Sequence, residues 1–198
     1  MKKKTFGVLI HGAGWVSTQH IAAFLNNPAT QIVAISSRSL AGARRRAQES
    51  GLRGVAVYDD LEKALRHKGV DIVSICTPQH LHCQNVLAAA RAGKHLIIEK
   101  PVGISLAELQ RMRHTVRRAG VKTVVSFVLR WNPLFRTLKA MIAEGALGKV
   151  YCVEADYLSH NGSWWSGWGD TCTAKHGVSS MLVAGCHDID ALRWFAGA

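Results

Sequence analysis

Through the first 128 residues, six short apolar runs alternate with five amphipathic stretches, and this pattern limits the available folds more than any other feature of the chain. Phe6 to Ile10, Gln31 to Ile35, Val55 to Tyr58, Val70 to Ile75, Lys94 to Ile98 and Lys122 to Val128 read as strands. Helices are expected between them, over Val16 to Leu25, Leu40 to Glu49, from Asp59 or Asp60 to about His67, and over Leu81 to Ala92. A fifth helix opens at Ser105, with Glu108 three residues later as a capping box, and ends at Gly120. Strands joined by helical crossovers pair in parallel, and strands rich in Val, Ile and Leu need cover on both faces. The expected fold is therefore α/β, a doubly wound parallel sheet.

The pattern changes after residue 128. Arg130-Trp131-Asn132-Pro133 leads into a helix over Leu134 to Glu144, and Lys149 to Tyr157 alternates as a half-buried strand would. A polar loop rich in glycine and tryptophan follows from Ser159 to Gly177. Helical spacing then runs from Val178 to Phe195. Two domains are expected, 1–128 and 129–198. One strand cannot make a sheet, so the second domain reads as an incomplete α/β unit.

Composition narrows the function classes. Of 198 residues, 48% are hydrophobic and 19% charged, as in ordinary soluble proteins. No apolar run approaches the ~20 residues of a membrane span. Met1-Lys2-Lys3-Lys4 resembles the start of a signal peptide, but His11-Gly12 interrupts the apolar stretch, and a cytoplasmic protein is expected. Five cysteines are scattered without a CxxC pair, which argues against a disulfide framework and a zinc site. His80 and His82 are the only close histidine pair, and no carboxylate or cysteine completes a metal site, so no metal is expected. The formal charge of +12 comes largely from Arg44-Arg45-Arg46 and from Arg111, Arg113, Arg117, Arg118 and Lys122. These lie in separate helices without interleaved aromatics. Solvated helix faces, or attraction of a cofactor phosphate, fit that distribution better than nucleic acid.

The turn His11-Gly12-Ala13-Gly14-Trp15-Val16-Ser17 falls between the first strand and the first helix. Gly12 allows a tight turn, Gly14 lets backbone approach a pyrophosphate, and the helix start offers free N–H groups. Ser17 takes the third position of the glycine fingerprint, where a small residue suffices for helix–strand packing. At the end of the second strand, Ser36-Ser37-Arg38 offers hydroxyls and a guanidinium where a carboxylate would bond the ribose of NAD. That set suits a 2′-phosphate, so NADP(H) is favoured over NAD(H).

Further along, Thr77-Pro78, His82, Gly93-Lys94-His95 and Glu99-Lys100-Pro101 occur in order, followed by Gly185-Cys186-His187. Together with the glycine turn, they resemble the glucose–fructose oxidoreductase/inositol dehydrogenase family (Gfo/Idh/MocA). The resemblance implies an N-terminal Rossmann domain, a C-terminal α/β domain with a large open sheet, and hydride transfer between nicotinamide and a hydroxyl-bearing carbon of a sugar or polyol. It implies that Thr77, Pro78, His82 and Glu99 line the cofactor site, that Lys100 is the active-site lysine and that His187 is the general base. Lysine beside a substrate hydroxyl can stabilise the charge that develops as the proton leaves.

Two departures stand out. Many family members carry Asp one turn before that histidine, where this chain has Val183, with Asp188 as an imperfect substitute. Members also continue with the strands that complete the C-terminal sheet, so homo-oligomerisation is expected only if that sheet is supplied. Arg130, Trp164 and Trp165 are candidate substrate contacts, the tryptophans through stacking on a sugar ring. The alternative reading is a non-catalytic nucleotide-binding module.

Overall fold

Strands β1 (Phe6–His11), β2 (Thr30–Ser36), β3 (Ala56–Tyr58), β4 (Ile72–Ile75), β5 (His95–Ile98) and β6 (Thr123–Val125) form one six-stranded sheet in the order β3-β2-β1-β4-β5-β6. Every pairing is parallel. The computed structural model describes residues 5–158, 160, 162, 163, 168–171, 173, 175, 176 and 179–197. By internal contacts the chain divides into Met1–Val125 and Ser126–Ala198.

Alternation along the strands builds a core on each face of the sheet. Leu9, Val73, Ile75, Leu96 and Ile98 meet Val86, Ala89 and Ala90 of α4 (His82–Arg91) and Met112 of α5 (Leu106–Ala119). Val8, Ile10, Ile32 and Ile35 meet Ile21 and Phe24 of α1 (Val16–Leu25) and Ala43 and Ala47 of α2 (Leu40–Glu49). Each fully buried Ile, Leu or Val contributes roughly 1.5–3 kcal/mol relative to exposure. This is the doubly wound sheet expected from the sequence.

The helix starts follow capping chemistry. Ser39 Oγ accepts from Gly42 N, Asp60 Oδ1 from Lys63 N and Ser105 Oγ from Glu108 N. Glu108 reaches back to Ile104 N rather than to the cap residue itself. Helix α3 (Leu61–Leu65) stops short of the expected His67, whose ring turns back onto the Tyr58 hydroxyl at 2.9 Å. Strand β6 is also shorter than Lys122 to Val128. Its partner β5 offers Leu96 to Ile98 in register with Thr123 to Val125 and then ends. The chain turns instead into a 3₁₀ segment at Val128–Trp131.

In Ser126–Ala198, α6 (Pro133–Ala143) begins with Pro at its first turn and Asn132 Oδ1 accepting from Leu134 N. The short helices α7 (Trp168–Thr171) and α8 (Ser180–Val183) precede α9 (Cys186–Ala196). Lys149 to Tyr157, expected as a strand, forms no ladder: among the described residues no strand lies in this unit, and alternation without a partner does not make one. The single helix expected from Val178 onward is interrupted, and Val178 itself lies outside the described residues. Ser179 caps α8, Gly185 N donates to Ser180 O five residues back, and α9 starts afresh. A Cβ on Gly185 would stand 3.1 Å from Met181 O, so glycine suits this break.

Candidate active site

The order of the sheet reverses beside β1 and β4, which makes the C-terminal ends of these strands the expected ligand crevice. Gly12 follows β1 with φ of 112°, and a Cβ there would lie 2.5 Å from Cys76 O at the end of β4. Only glycine fits. A Cβ on Gly14 would meet nothing within 4 Å, so backbone on that side is open to close approach. Ser17 is fully buried, and its Oγ donates to Gly14 O at 2.6 Å, closing the turn onto the first residues of α1. Trp15 flanks the turn and is exposed. Ala13 O accepts from Arg46 of α2 at both Nε (3.3 Å) and Nη2 (3.1 Å). Arg46 is held in turn by Glu49 at 3.0 Å. This turn, ahead of the N–H groups at the start of α1, fits a dinucleotide pyrophosphate.

At the end of β2 the three polar residues separate. Ser36 is fully buried and its Oγ lies 2.8 Å from His11 Nδ1. Ser37 is buried as well, with its Oγ donating to Ser39 O at 2.7 Å. Arg38 is exposed. Burial pushes His11 down to about 4, against the opposing influence of Asn85 and Asp60 and with a further lowering by His82. His11 is thus neutral at physiological pH.

Past β4, Thr77 Oγ1 accepts from Asn85 Nδ2 at 3.0 Å. Pro78 then leads into the 3₁₀ turn Gln79–Leu81 before α4. The His82 side chain sits between two backbone carbonyls, with Nδ1 2.8 Å from Pro101 O and Nε2 2.8 Å from Thr77 O. At 1% exposure it ties the segment after β4 to the segment after β5. Burial lowers its pKa despite those carbonyls and Glu99.

Beyond β5, Glu99 N donates to Ile75 O, and the Lys100–Pro101 peptide is cis. Lys100 is half-buried, and its N–H donates to Glu99 Oε2 at 3.3 Å. Glu99 Oε1 lies 2.9 Å from Nε2 of His20 on α1. His20 Nδ1 lies 2.8 Å from Ser74 Oγ, itself 3.6 Å from Cys76 Sγ. Burial opposes protonation of His20, but its interactions with Cys76 and Glu99 outweigh burial and raise it to about 10.

In Ser126–Ala198, His187 lies near the start of α9 and is buried. Tyr157 stacks on its ring at 6.0 Å and Phe127 meets it edge-on at 6.1 Å. Arg130 donates Nε and Nη2 to the two carboxylate oxygens of Asp190 at 2.7 and 2.8 Å and lies 5.5 Å over the Trp194 ring. Those hydrogen bonds raise the pKa of the guanidinium, against a smaller lowering by burial. Asp188 is half-buried. Trp164 and Trp165 lie outside the described residues. Among the described residues, no cluster of three or more His, Cys, Asp or Glu could hold a metal.

The sequence pointed to the turns but not to their supports. His11, His20, Arg46, Asn85 and Tyr157 carry no motif, and their partners are remote in the chain. His11 directly before Gly12 and a histidine inside the first helix were the available signals.

Residues 6–127 match the model of an oxidoreductase family with an NAD-binding Rossmann fold, GFO_IDH_MocA, and residues 135–198 match the GFO/IDH/MocA C-terminal domain. D-glucoside 3-dehydrogenase of Escherichia coli K12 is 28% identical across 100% of this chain and 56% of its own length. Scyllo-inositol dehydrogenase from Lactobacillus casei, solved with NAD(H) and scyllo-inositol, superposes with a TM-score of 0.79 at 24% identity, over 98% of this chain and 57% of that one. A point mutant of the 3-ketoreductase KijD10 from Actinomadura kijaniata, solved with TDP-benzene and NADP, gives 0.79 at 23% over 97% and 57%. At these identities the structures speak to the fold. The chain spans about half the length of the curated relatives it matches.

Proposed function

The chain belongs to the Gfo/Idh/MocA family of oxidoreductases, and on that premise we propose that it acts as an NAD(P)-dependent oxidoreductase on a hydroxyl-bearing carbon of a sugar, polyol or related small molecule. The observation that carries this reading is the Glu99-Lys100-Pro101 turn. It follows the C-terminal end of a strand in the same parallel sheet, as the glycine turn does.

Backbone of Gly12, Ala13, Gly14, Trp15 and Val16 would hold the pyrophosphate, with Thr77, Pro78, His82, Glu99 and Lys100 framing the nicotinamide end. The bound nicotinamide supplies the hydride acceptor or donor. The Lys100 ammonium donates to the substrate oxygen and stabilises negative charge developing there. His187 takes up or returns the hydroxyl proton, a role open to an imidazole. Asp188, Arg130, Trp164 and Trp165 are assigned to the substrate, with Arg130 orientated by Asp190.

We assign NADP(H) as the preferred cofactor. With Ser36 bonded to His11 and Ser37 to Ser39, the preference rests on Arg38 and on the absence of a carboxylate at the end of β2. Turnover with NADPH should exceed that with NADH, and a clear preference for NADH refutes the assignment. Cys76, Cys83 and Cys152 are free thiols, which supports a reducing, cytoplasmic setting. No described helix is long and apolar enough to cross a membrane. Homo-oligomerisation is expected only with the strands of a complete C-terminal sheet.

Lys100→Ala should lower turnover by roughly 10²–10⁴-fold while cofactor still binds. Unchanged turnover of every oxidisable polyol tested would refute the catalytic assignment. Val183, standing where many family members have Asp, favours a second reading, a non-catalytic nucleotide-binding module. Cofactor binding without turnover across a sugar and polyol panel selects that reading.

A further inference from the structure

A largely buried polar chain links α1 and β4 to the tip of β5, next to Lys100. His20 on α1 contacts Glu99 at the tip of β5 on one side and Ser74 of β4 on the other, at 2.9 and 2.8 Å. The second oxygen of Glu99 accepts the Lys100 N–H. The His20 and Glu99 side chains are only 11% and 12% exposed, so this is a largely desolvated pair rather than a surface contact. Among the groups facing it are Ser74 of β4, Cys76 just past β4, and His82 of α4, which interacts electrostatically with Glu99.

We propose that His20 is a positioning residue for the lysine turn: as an imidazolium it donates to both Glu99 and Ser74, fixes the Glu99 carboxylate, and through it holds the backbone of Lys100. The proposal rests on the assignment of Lys100 as the active-site lysine. Two features separate it from a generic tie between helix and sheet. The carboxylate is shared, one oxygen to His20 and the other to the Lys100 amide. The charge matters as well, because a largely desolvated carboxylate is held better by an imidazolium than by a neutral donor. The raised pKa of His20 agrees with that state.

The ring nitrogens of His20 can be followed by NMR in the full chain, independently of turnover. Both should remain protonated at about pH 8, where an ordinary imidazole near 6.5 is neutral. The Lys100 amide resonance should move with the His20 titration. In His20→Phe, hydrogen exchange at the Lys100 amide should accelerate about tenfold or more, and His20→Gln, which keeps a donor without the charge, should recover part of the protection. In turnover, His20→Phe should lower kcat about tenfold with the KM for NADPH little changed. That loss should disappear in a Glu99→Gln background, because both changes break the same link.

A His20 ring titrating at its ordinary value overturns the proposal, and this measurement needs no variant to fold. An unmoved Lys100 amide in a folded His20→Phe chain, or an equal kcat loss in the Glu99→Gln background, overturns it too. Retained turnover in Lys100→Ala fails differently. It removes the catalytic assignment, and positioning of a catalytic lysine with it, while the His20–Lys100 coupling still registers in the spectrum.

Discussion

Met1–Val125 and Ser126–Ala198 are built on different terms, although both match models of one family. In the first, every strand has a hydrogen-bonded neighbour and both faces of the sheet carry a buried apolar cluster. In the second, the described residues form helices, turns and irregular segments. Trp131, Leu134, Tyr151, Leu158 and Met181 are exposed there, and Ala191 and Phe195 are the apolar residues buried on α9. The candidate chemistry divides the same way. Lys100 rests on a sheet and a buried ion pair, whereas His187 rests on aromatic contacts with Tyr157 and Phe127. A sheet closes long-range hydrogen bonds and two cores together, so its strand tips are fixed with it; a helix presenting one buried stripe leaves more apolar surface uncovered.

Paired substitutions test the contrast most sharply. Leu96→Ala, at 1% exposure in β5, should cost about 4 kcal/mol in urea denaturation. Leu134→Ala, at 70% exposure in α6, should change stability by less than about 0.5 kcal/mol. Comparable losses at both sites would erase the distinction.

Acid should act next, and through the first region. Because His11 is lowered to about 4 from 6.5, the unfolded chain binds its proton first as pH falls. Stability present above about pH 6.5 should therefore decline through pH 4, by about 3 kcal/mol from this group, and His82 is lowered in the same direction. His11→Asn should flatten that slope in denaturation midpoints measured against pH. An unchanged slope would mean that His11 titrates alike in the folded and unfolded chain.

The smallest loss expected from breaking a specific bond belongs to the second region. Arg130→Ala removes a two-pronged but partly exposed ion pair with Asp190, and thermal unfolding should register about 1 kcal/mol or less. A larger loss would mean that this region is more tightly built than its exposed side chains indicate.

Much of the sheet was legible beforehand because each strand is an apolar run and each crossover an amphipathic one. Gly12 was legible for a similar reason: a residue between a strand and a helix with a required positive φ leaves a one-letter signature. Lys149 to Tyr157 shows the limit. Its alternation is a strand pattern, but a strand is a relation between segments, and no partner stands beside it among the described residues. The end of β6 was set by the length of β5, and the break before α9 by Gly185 against Met181. Neither could be found by scanning periodicity within one segment.

The candidate site divides similarly. Gly12, Gly14, Lys100 and His187 were visible through motif and resemblance, and the Ser36-Ser37-Arg38 segment through the missing carboxylate. That the Ser36 hydroxyl bonds His11, and that Arg46 reaches the carbonyl of Ala13, were not visible. The chain's own order of residues determined the doubly wound sheet, the glycine turn and a lysine at the tip of β5, because strand periodicity, left-handed glycine geometry and crossover length are local. Tertiary structure alone decided what holds that lysine. His20 and Glu99 are 79 positions apart, and only the packing of α1 on β1 and β2 of the folded sheet lets the His20 side chain reach Ser74 and Glu99, where low solvent exposure strengthens the bond between them.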